Sequence, residues 1–275
     1  MSRSSRARRS QRVAVGSGVT LDFAEQGELS ALPLVLLPGM GDSWRSFKPV
    51  LTELSPHLHV LALSQRGHGE SSRPDTGYEP ADYANDVIAF LDARSIERAV
   101  LAGHSSSTFT ARLAASSHPQ RTAGLVLIAS PLSLRGHPAV AELATAPEVA
   151  TGAGLLPEEF VRRFVTTTVG ASVSVPFLEA MVMESATVPA RVWRDTLRGL
   201  LGHDGAGALE QIVAPTLMVW GDADELVSRG DQDALRDAII SSRLLVYAGI
   251  GHSPHWEQPK RFAADVASFL GELAG

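Results

Sequence analysis

Short, continuous apolar runs punctuate the chain, and each stops at a turn-forming residue. Residues 32–37 (LPLVLL) end at Pro38-Gly39, residues 58–63 (LHVLAL) precede a glycine-rich turn, and residues 98–102 (RAVLA) end at Gly103. Residues 125–129 (LVLIA) end at Ser130-Pro131, residues 215–220 (PTLMVW) at Gly221, and residues 244–247 (LLVY) near Gly249. Runs without polar alternation are the mark of strands covered on both faces, as in a parallel sheet. Between them lie amphipathic segments over 82–94, 106–117, 230–240 and 259–273; the first carries Tyr83, Val87, Phe90 and Leu91 at helical spacing. Strand–helix alternation of this kind builds right-handed βαβ units with helices on both sides of the sheet. Upstream, residues 12–15 and 20–24 flank Gly16-Ser17-Gly18 and predict an antiparallel hairpin that leads into the sheet. The expected fold is α/β: a mostly parallel, eight-stranded, doubly wound sheet.

The alternation breaks over 131–208. No strand-like run occurs there, whereas Phe160/Phe164, Phe177/Met181 and Trp193/Leu197/Leu200/Leu201 fall at helical spacings. Pro157-Glu158-Glu159 has the makings of a helix start, with proline in the first turn and acids near the positive end of the dipole. This stretch is expected to be a helical cap inserted over the C-terminal edge of the sheet, where open α/β sheets bind ligands. The predicted organisation is a basic, frayed tail over 1–11, a core over 12–130 and 209–275, and the cap over 131–208.

Composition narrows the class. The 275 residues are 44% hydrophobic and 20% charged, which suits a soluble globule with a large core. A net charge of −6 argues against nucleic acid as a partner, because phosphate binding needs a dense basic surface. The absence of cysteine excludes disulfides, thiolate zinc sites and a cysteine nucleophile, and it fits a reducing cytoplasm. The arginines of the tail (Arg3, Arg6, Arg8, Arg9 and Arg12) are followed by only Val13-Ala14-Val15 before Gly16, too little for the apolar part of a secretory signal. No apolar run approaches the ~20 residues of a membrane span, so no membrane partner is expected.

Candidate chemistry begins at Gly103-His104-Ser105-Ser106-Ser107. The motif follows a buried-strand pattern directly and opens a helical one. A strand-to-helix turn this sharp strains its central residue and lifts the serine hydroxyl over the sheet at a helix N-terminus. Small residues are needed two positions to either side; here these are Gly103 and Ser107, so the pattern is G-x-S-x-S rather than G-x-S-x-G. The five residues alone are also compatible with Ser105 as an ordinary N-cap. A serine nucleophile needs a base, and the base an orienting acid. Gly221-Asp222-Ala223-Asp224 follows a late strand, and Gly251-His252 precedes the last helix, giving the order Ser, Asp, His.

With these motifs the chain resembles the α/β-hydrolase superfamily, in its capped branch of esterases, lactonases and related hydrolases, from about Val19 to the C-terminus. The resemblance implies that the acid is Asp224, three residues after the strand-closing glycine, with Asp222 left as a solvated turn residue. It implies His252 as base and His255 as a loop or lid-side residue. It places the oxyanion-binding backbone N–H groups at Met40 and Ser106, although Pro38 stands where the family usually has histidine. Gln65-Arg66-Gly67-His68-Gly69-Glu70-Ser71 resembles the family's R-G-H-G-x-S turn, whose role is structural.

Other chemistries fit less well. Epoxide hydrolases and haloalkane dehalogenases of this fold need aspartate at position 105, and epoxide opening needs cap tyrosines, whereas Tyr78, Tyr83 and Tyr247 all lie outside 131–208. A hydroxynitrile lyase would use a cap lysine, and neither Lys48 nor Lys260 qualifies. Trp44 at the third glycine position excludes a G-x-G-x-x-G nucleotide loop. No H-E-x-x-H zinc motif occurs, and His57-x-His59 is expected within a strand. The expected protein is therefore a cytoplasmic serine hydrolase, monomer or homodimer, acting on a small-molecule carboxylic ester or lactone without cofactor or metal. Carbon–carbon or amide hydrolysis, perhydrolysis on the same residues, and a non-enzymatic ligand receptor are the alternatives. Trp44, Phe109, Phe160, Met181 and Trp193 are the expected walls of a mainly apolar substrate pocket.

Overall fold

The computed structural model describes residues 10–170 and 173–274. Of the predicted tail, residues 1–9 lie outside the described residues; Gln11, at its expected end, already opens the first strand. The strands are β1 (Gln11–Ala14), β2 (Thr20–Gln26), β3 (Leu34–Leu37), β4 (Val60–Ser64), β5 (Ala99–His104), β6 (Thr122–Ile128), β7 (Thr216–Gly221) and β8 (Ser242–Tyr247). They form one eight-stranded sheet in the order β1-β2-β4-β3-β5-β6-β7-β8. β2 is antiparallel to both β1 and β4, and all other pairings are parallel.

The unbroken apolar runs have the predicted cause. Strands β3, β5, β6 and β7 are buried along their whole length. Successive strand residues point to opposite faces, so both faces need cover. On one face Val35, Leu37, Leu101 and Leu127 pack with Val87, Phe90 and Ala111. These last three come from α2 (Pro80–Ala93) and α3 (Ser107–Ser117). On the other face Leu34, Leu36, Val100 and Ile128 meet Val50 and Leu51 of α1 (Lys48–Glu53), and Phe262 and Phe269 of the C-terminal helix over Pro259–Ala274. The edge strands β1 and β8 are only partly covered, and their sequences are correspondingly more polar.

Between β6 and β7 the chain forms helices α4 (Pro138–Thr145), α5 (Pro147–Ala150), α6 (Glu158–Thr167), α7 (Val175–Ser185) and α8 (Ala190–Gly202). They share an apolar cluster of their own, including Phe160, Val161, Val182, Val192 and Leu197, closed against Tyr78, Tyr83 and Trp256 from outside the segment. After β7 come α9 (Arg229–Ala238), α10 (Pro254–Glu257) and α11 (Pro259–Ala274).

The topology sets where a ligand can enter. From β3 the chain moves to β4 on one side, then crosses to β5 on the other. The crevice at the carboxyl ends of β3 and β5 is thus the switch point of the sheet. Leu37 lies beside Gly103 in the register, so the loop after β3 and the turn after β5 emerge side by side.

The His57-x-His59 expectation is corrected here: β4 starts at Val60, so neither histidine is in a strand. His57 contacts Glu28, and His59 lies 3.0 Å from Glu25. Pro56 and the turn that follows delay the extended backbone by two residues relative to the apolar run.

Candidate active site

Ser105 occupies the turn between β5 and α3 with φ of +53°, in the left-handed region that a serine rarely adopts. Neighbouring hydrogen bonds hold it there. Its N–H donates to the Ile128 carbonyl at 2.9 Å, continuing the sheet, while its carbonyl accepts from the Thr108 N–H at 3.0 Å, starting the helix. The turn is tight enough that a Cβ at Gly103 would sit 2.4 Å from the Ser107 carbonyl oxygen, so glycine is required there. On the other side Ser107 is tolerated because its hydroxyl is used. It accepts from Gln65 Nε2 at 2.7 Å and donates to the Pro38 carbonyl, tying the turn to the loop after β3.

Three side chains from distant loops meet over this turn. His252 Nε2 lies 2.8 Å from Ser105 Oγ, and His252 Nδ1 lies 2.8 Å from Asp224 Oδ2. A carboxylate only accepts, so Nδ1–H donates to Asp224 and Nε2 is left to accept the serine proton. Asp224 follows β7; its other oxygen accepts from the Leu226 and Val227 N–H groups at 2.8 and 3.0 Å, and its side chain is fully buried. Asp222 is exposed and accepts from the Gly249 N–H at 2.6 Å instead.

The loop after β3 brings Met40 to the same place. Gly39 packs so closely under His104 that a Cβ there would lie 2.9 Å from His104 Nδ1, which lets the backbone pass directly beside Ser105. Among the described residues neither the Met40 nor the Ser106 N–H takes a backbone acceptor. Both residues line a cavity of about 590 Å³ with Ser105 and His252 at its floor. Beneath the floor His104 Nε2 donates to the His252 carbonyl at 3.0 Å, and the tilted His255 ring packs against His104 at 4.4 Å between centroids. Burial, then the neighbouring His252, pulls His104 down to about 3, so it is neutral and its Nε2–H steadies the His252 backbone.

The sequence matches the alpha/beta hydrolase family over residues 34–265. This chain belongs to the alpha/beta hydrolase family. It is 28% identical over 231 residues to the 2-(acetamidomethylene)succinate hydrolase of Mesorhizobium japonicum, covering 80% of each chain. It is 27% identical over 277 residues to the 2-hydroxymuconate semialdehyde hydrolase of Pseudomonas sp. CF600, covering 95% of this chain and 94% of that one. Among solved structures it superposes on an esterase from Rhodococcus sp. ECU1013 with a TM-score of 0.83 and 25% identity, over 96% of this chain and 99% of that chain.

Within this hydrolase the expected pocket walls need correction. Phe160 lines the cavity, but Trp44, Phe109, Met181 and Trp193 do not. Trp44 is folded back onto the sheet by a turn in which Ser43 caps the Arg45 N–H at 3.2 Å, and its backbone N–H donates to Ser64 Oγ at 3.1 Å. Phe109 packs behind Leu134 and Leu200, which do reach the cavity. Met181 and Trp193 sit inside the helical cluster, Trp193 edge-on behind Phe164 at 4.9 Å. Met181 and Trp193 are drawn into the interior of the helical segment, while Phe160 and Phe164 of α6 and Leu197 of α8 face the cavity.

His255 is also relocated. It is fully buried on α10, against Phe47 and His104, rather than on the lid side. Neither of its ring nitrogens has a hydrogen-bond partner among the described residues, and burial holds it well below the ordinary histidine range. His68 donates from Nδ1 to the Arg66 carbonyl at 2.9 Å, and burial brings it down to about 4. Arg66 itself is paired bidentately with Asp86 at 2.6 Å. Sequence reasoning missed Trp256, Phe164 and Asp42 as cavity residues. Trp256 was signalled only by its place four residues after His252, on the short helix that follows it.

Proposed function

We propose that this hydrolase cleaves a small, mainly apolar carboxylic ester or lactone through an acyl-enzyme on Ser105. The carrying observation is the chain Asp224–His252–Ser105, with 2.8 Å at each link, ending at a strained serine on the floor of the cavity. His252 takes the Ser105 proton as the oxygen attacks the carbonyl carbon. Asp224, held by two backbone N–H groups, fixes the tautomer and stabilises the imidazolium. The Met40 and Ser106 N–H groups bind the oxyanion; one such donor is typically worth ~10²–10³ in rate. The tetrahedral intermediate collapses as His252 returns the proton to the leaving alkoxide. Water then adds to the acyl group with His252 as base, and Ser105 leaves with the proton.

The helical segment over 131–208 serves as a cap, with Phe160, Phe164, Leu134 and Leu197 as an apolar wall for the substrate. Its mainly apolar character supports uncharged acyl or alcohol groups over charged ones. The cysteine-free composition supports a reducing compartment, the cytoplasm.

Labelling with a fluorophosphonate tests the reading directly. The folded protein is expected to carry one adduct, on Ser105 by peptide mass. Ser105→Ala is expected to abolish labelling and to lower kcat on short-chain esters by roughly three or more powers of ten. A folded wild-type protein that takes no label overturns the proposal. Tight ligand binding without product release would move the protein to the receptor class.

A further inference from the structure

Asp42 is the one acidic side chain that the loop after β3 contributes to the cavity, two residues beyond Met40. It is 7% exposed, yet its carboxyl makes no hydrogen bond or ion pair among the described residues. Only its backbone N–H is used, in a turn onto the Gly39 carbonyl at 3.2 Å. The nearest arginine in sequence, Arg45, is committed elsewhere, 3.0 Å from Glu184 on α7. Glu184 in turn is the charged group that acts on Asp42, and it has the same sign.

A buried carboxyl with no cation and a carboxylate facing it does not hold a negative charge readily. Burial, reinforced by Glu184, pushes Asp42 well above the ordinary carboxylate range. In that state the group carries one O–H donor with no acceptor in the protein. Among the described residues no protein group uses this carboxyl, and its oxygens are not sealed off from solvent, so a group that enters the cavity can reach them. Its place on the wall of the cavity that holds Ser105 and His252 supplies the missing partner: a substrate.

We propose that the Asp42 side chain donates a hydrogen bond to an oxygen carried by the acyl chain of the substrate. The preferred substrate is then an ester or lactone with an ether, keto or similar oxygen in its acyl part, rather than a plain alkyl ester. Asp42 acts as a specificity-determining residue, because an acyl chain lacking the oxygen leaves its donor unpaired. This inference rests on the hydrolase reading of Ser105.

The test compares p-nitrophenyl methoxyacetate with p-nitrophenyl butyrate, which differ by one oxygen in place of a methylene. For wild type, Asp42→Asn and Asp42→Leu, the ratio of kcat/KM for the two esters is measured on the same preparation, so partial misfolding cancels. Asp42→Leu is expected to lower the methoxyacetate-to-butyrate ratio about tenfold, chiefly through KM. Asp42→Asn, which keeps a neutral donor of the same size, is expected to restore the ratio to within about threefold of wild type. An unchanged ratio in Asp42→Leu overturns the proposal, with the hydrolase reading intact. Equal losses in Asp42→Asn and Asp42→Leu also overturn it, since carboxylate charge and not a donated proton would then be what the substrate meets. A wild-type protein that takes no fluorophosphonate label overturns both readings together.

Discussion

At the carboxyl edge of the sheet the side chains of Ser105, His252 and Asp224 are fixed by named partners. Ser105 is held by His252, His252 by Asp224 and by His104 from below, and Asp224 by the backbone of residues 226 and 227. Across the cavity, α4, α6 and α8 offer Val140, Phe160, Phe164 and Leu197, held by packing alone. The two sides divide the work. Hydrogen bonds are directional, so the sheet edge can hold reacting atoms to a fraction of an ångström; apolar packing is not directional and sets only shape and volume. We read the chemistry as carried by the strand ends; the helices shape the wall opposite, and Asp42, on the loop after β3, adds a polar contact from the sheet side.

The sharpest break in this comparison is expected at the acids after β7. Asp224→Asn keeps the shape but removes the acceptor that sets the His252 tautomer, and kcat is expected to fall by roughly 10⁴. Asp222→Asn, two residues away and exposed, is expected to change kcat less than threefold. Steady-state kinetics on one short-chain ester decides between them, and the reverse order would show that the geometry of the strand end does not carry the chemistry.

A smaller effect is expected on the opposite wall. Phe160→Ala opens the apolar surface without touching the hydrogen-bonded chain, and KM for an apolar ester is expected to rise about tenfold with kcat nearly constant. A collapse of kcat instead would mean that the helical segment also positions the reacting groups.

The smallest effect concerns the layer under the site. His104 and His255 are neutral in the fold, with His104 drawn down to about 3 and His255 well below its usual range, both by burial first. An unfolded chain takes up those protons near pH 6.5, so the stability they contribute is present above that pH. It is lost as pH falls from 6.5 toward the folded values, at roughly 1.4 kcal/mol per pH unit for each group. Chemical denaturation between pH 7 and pH 4.5 is expected to show this slope. His255→Leu, which removes a buried ring with unpartnered nitrogens, is expected to flatten it by about one such increment and to cost under about 1 kcal/mol at pH 7. A slope that is the same in both proteins would remove His255 from the account.

The sequence by itself determined the sheet, its mostly parallel order and the spacing of Ser105, Asp224 and His252 along the chain. It could do so because both-face burial imposes continuous apolar runs, and because a turn as tight as that around Gly103 restricts residue type locally. What faces the cavity was decided only in three dimensions. Phe109, Met181 and Trp193 satisfy the same helical periodicity as Phe160, and periodicity gives a buried face without saying whether the partner is another helix or a ligand. Trp44 turned inward on one serine cap and a bond to Ser64, neither of which has a sequence pattern of its own. His255 and Asp42 acquired their character from neighbours far away in the chain, His104 in one case and Glu184 in the other. Burial and charge proximity are properties of the packed molecule, and they are what make an ordinary histidine neutral and an ordinary aspartate a donor.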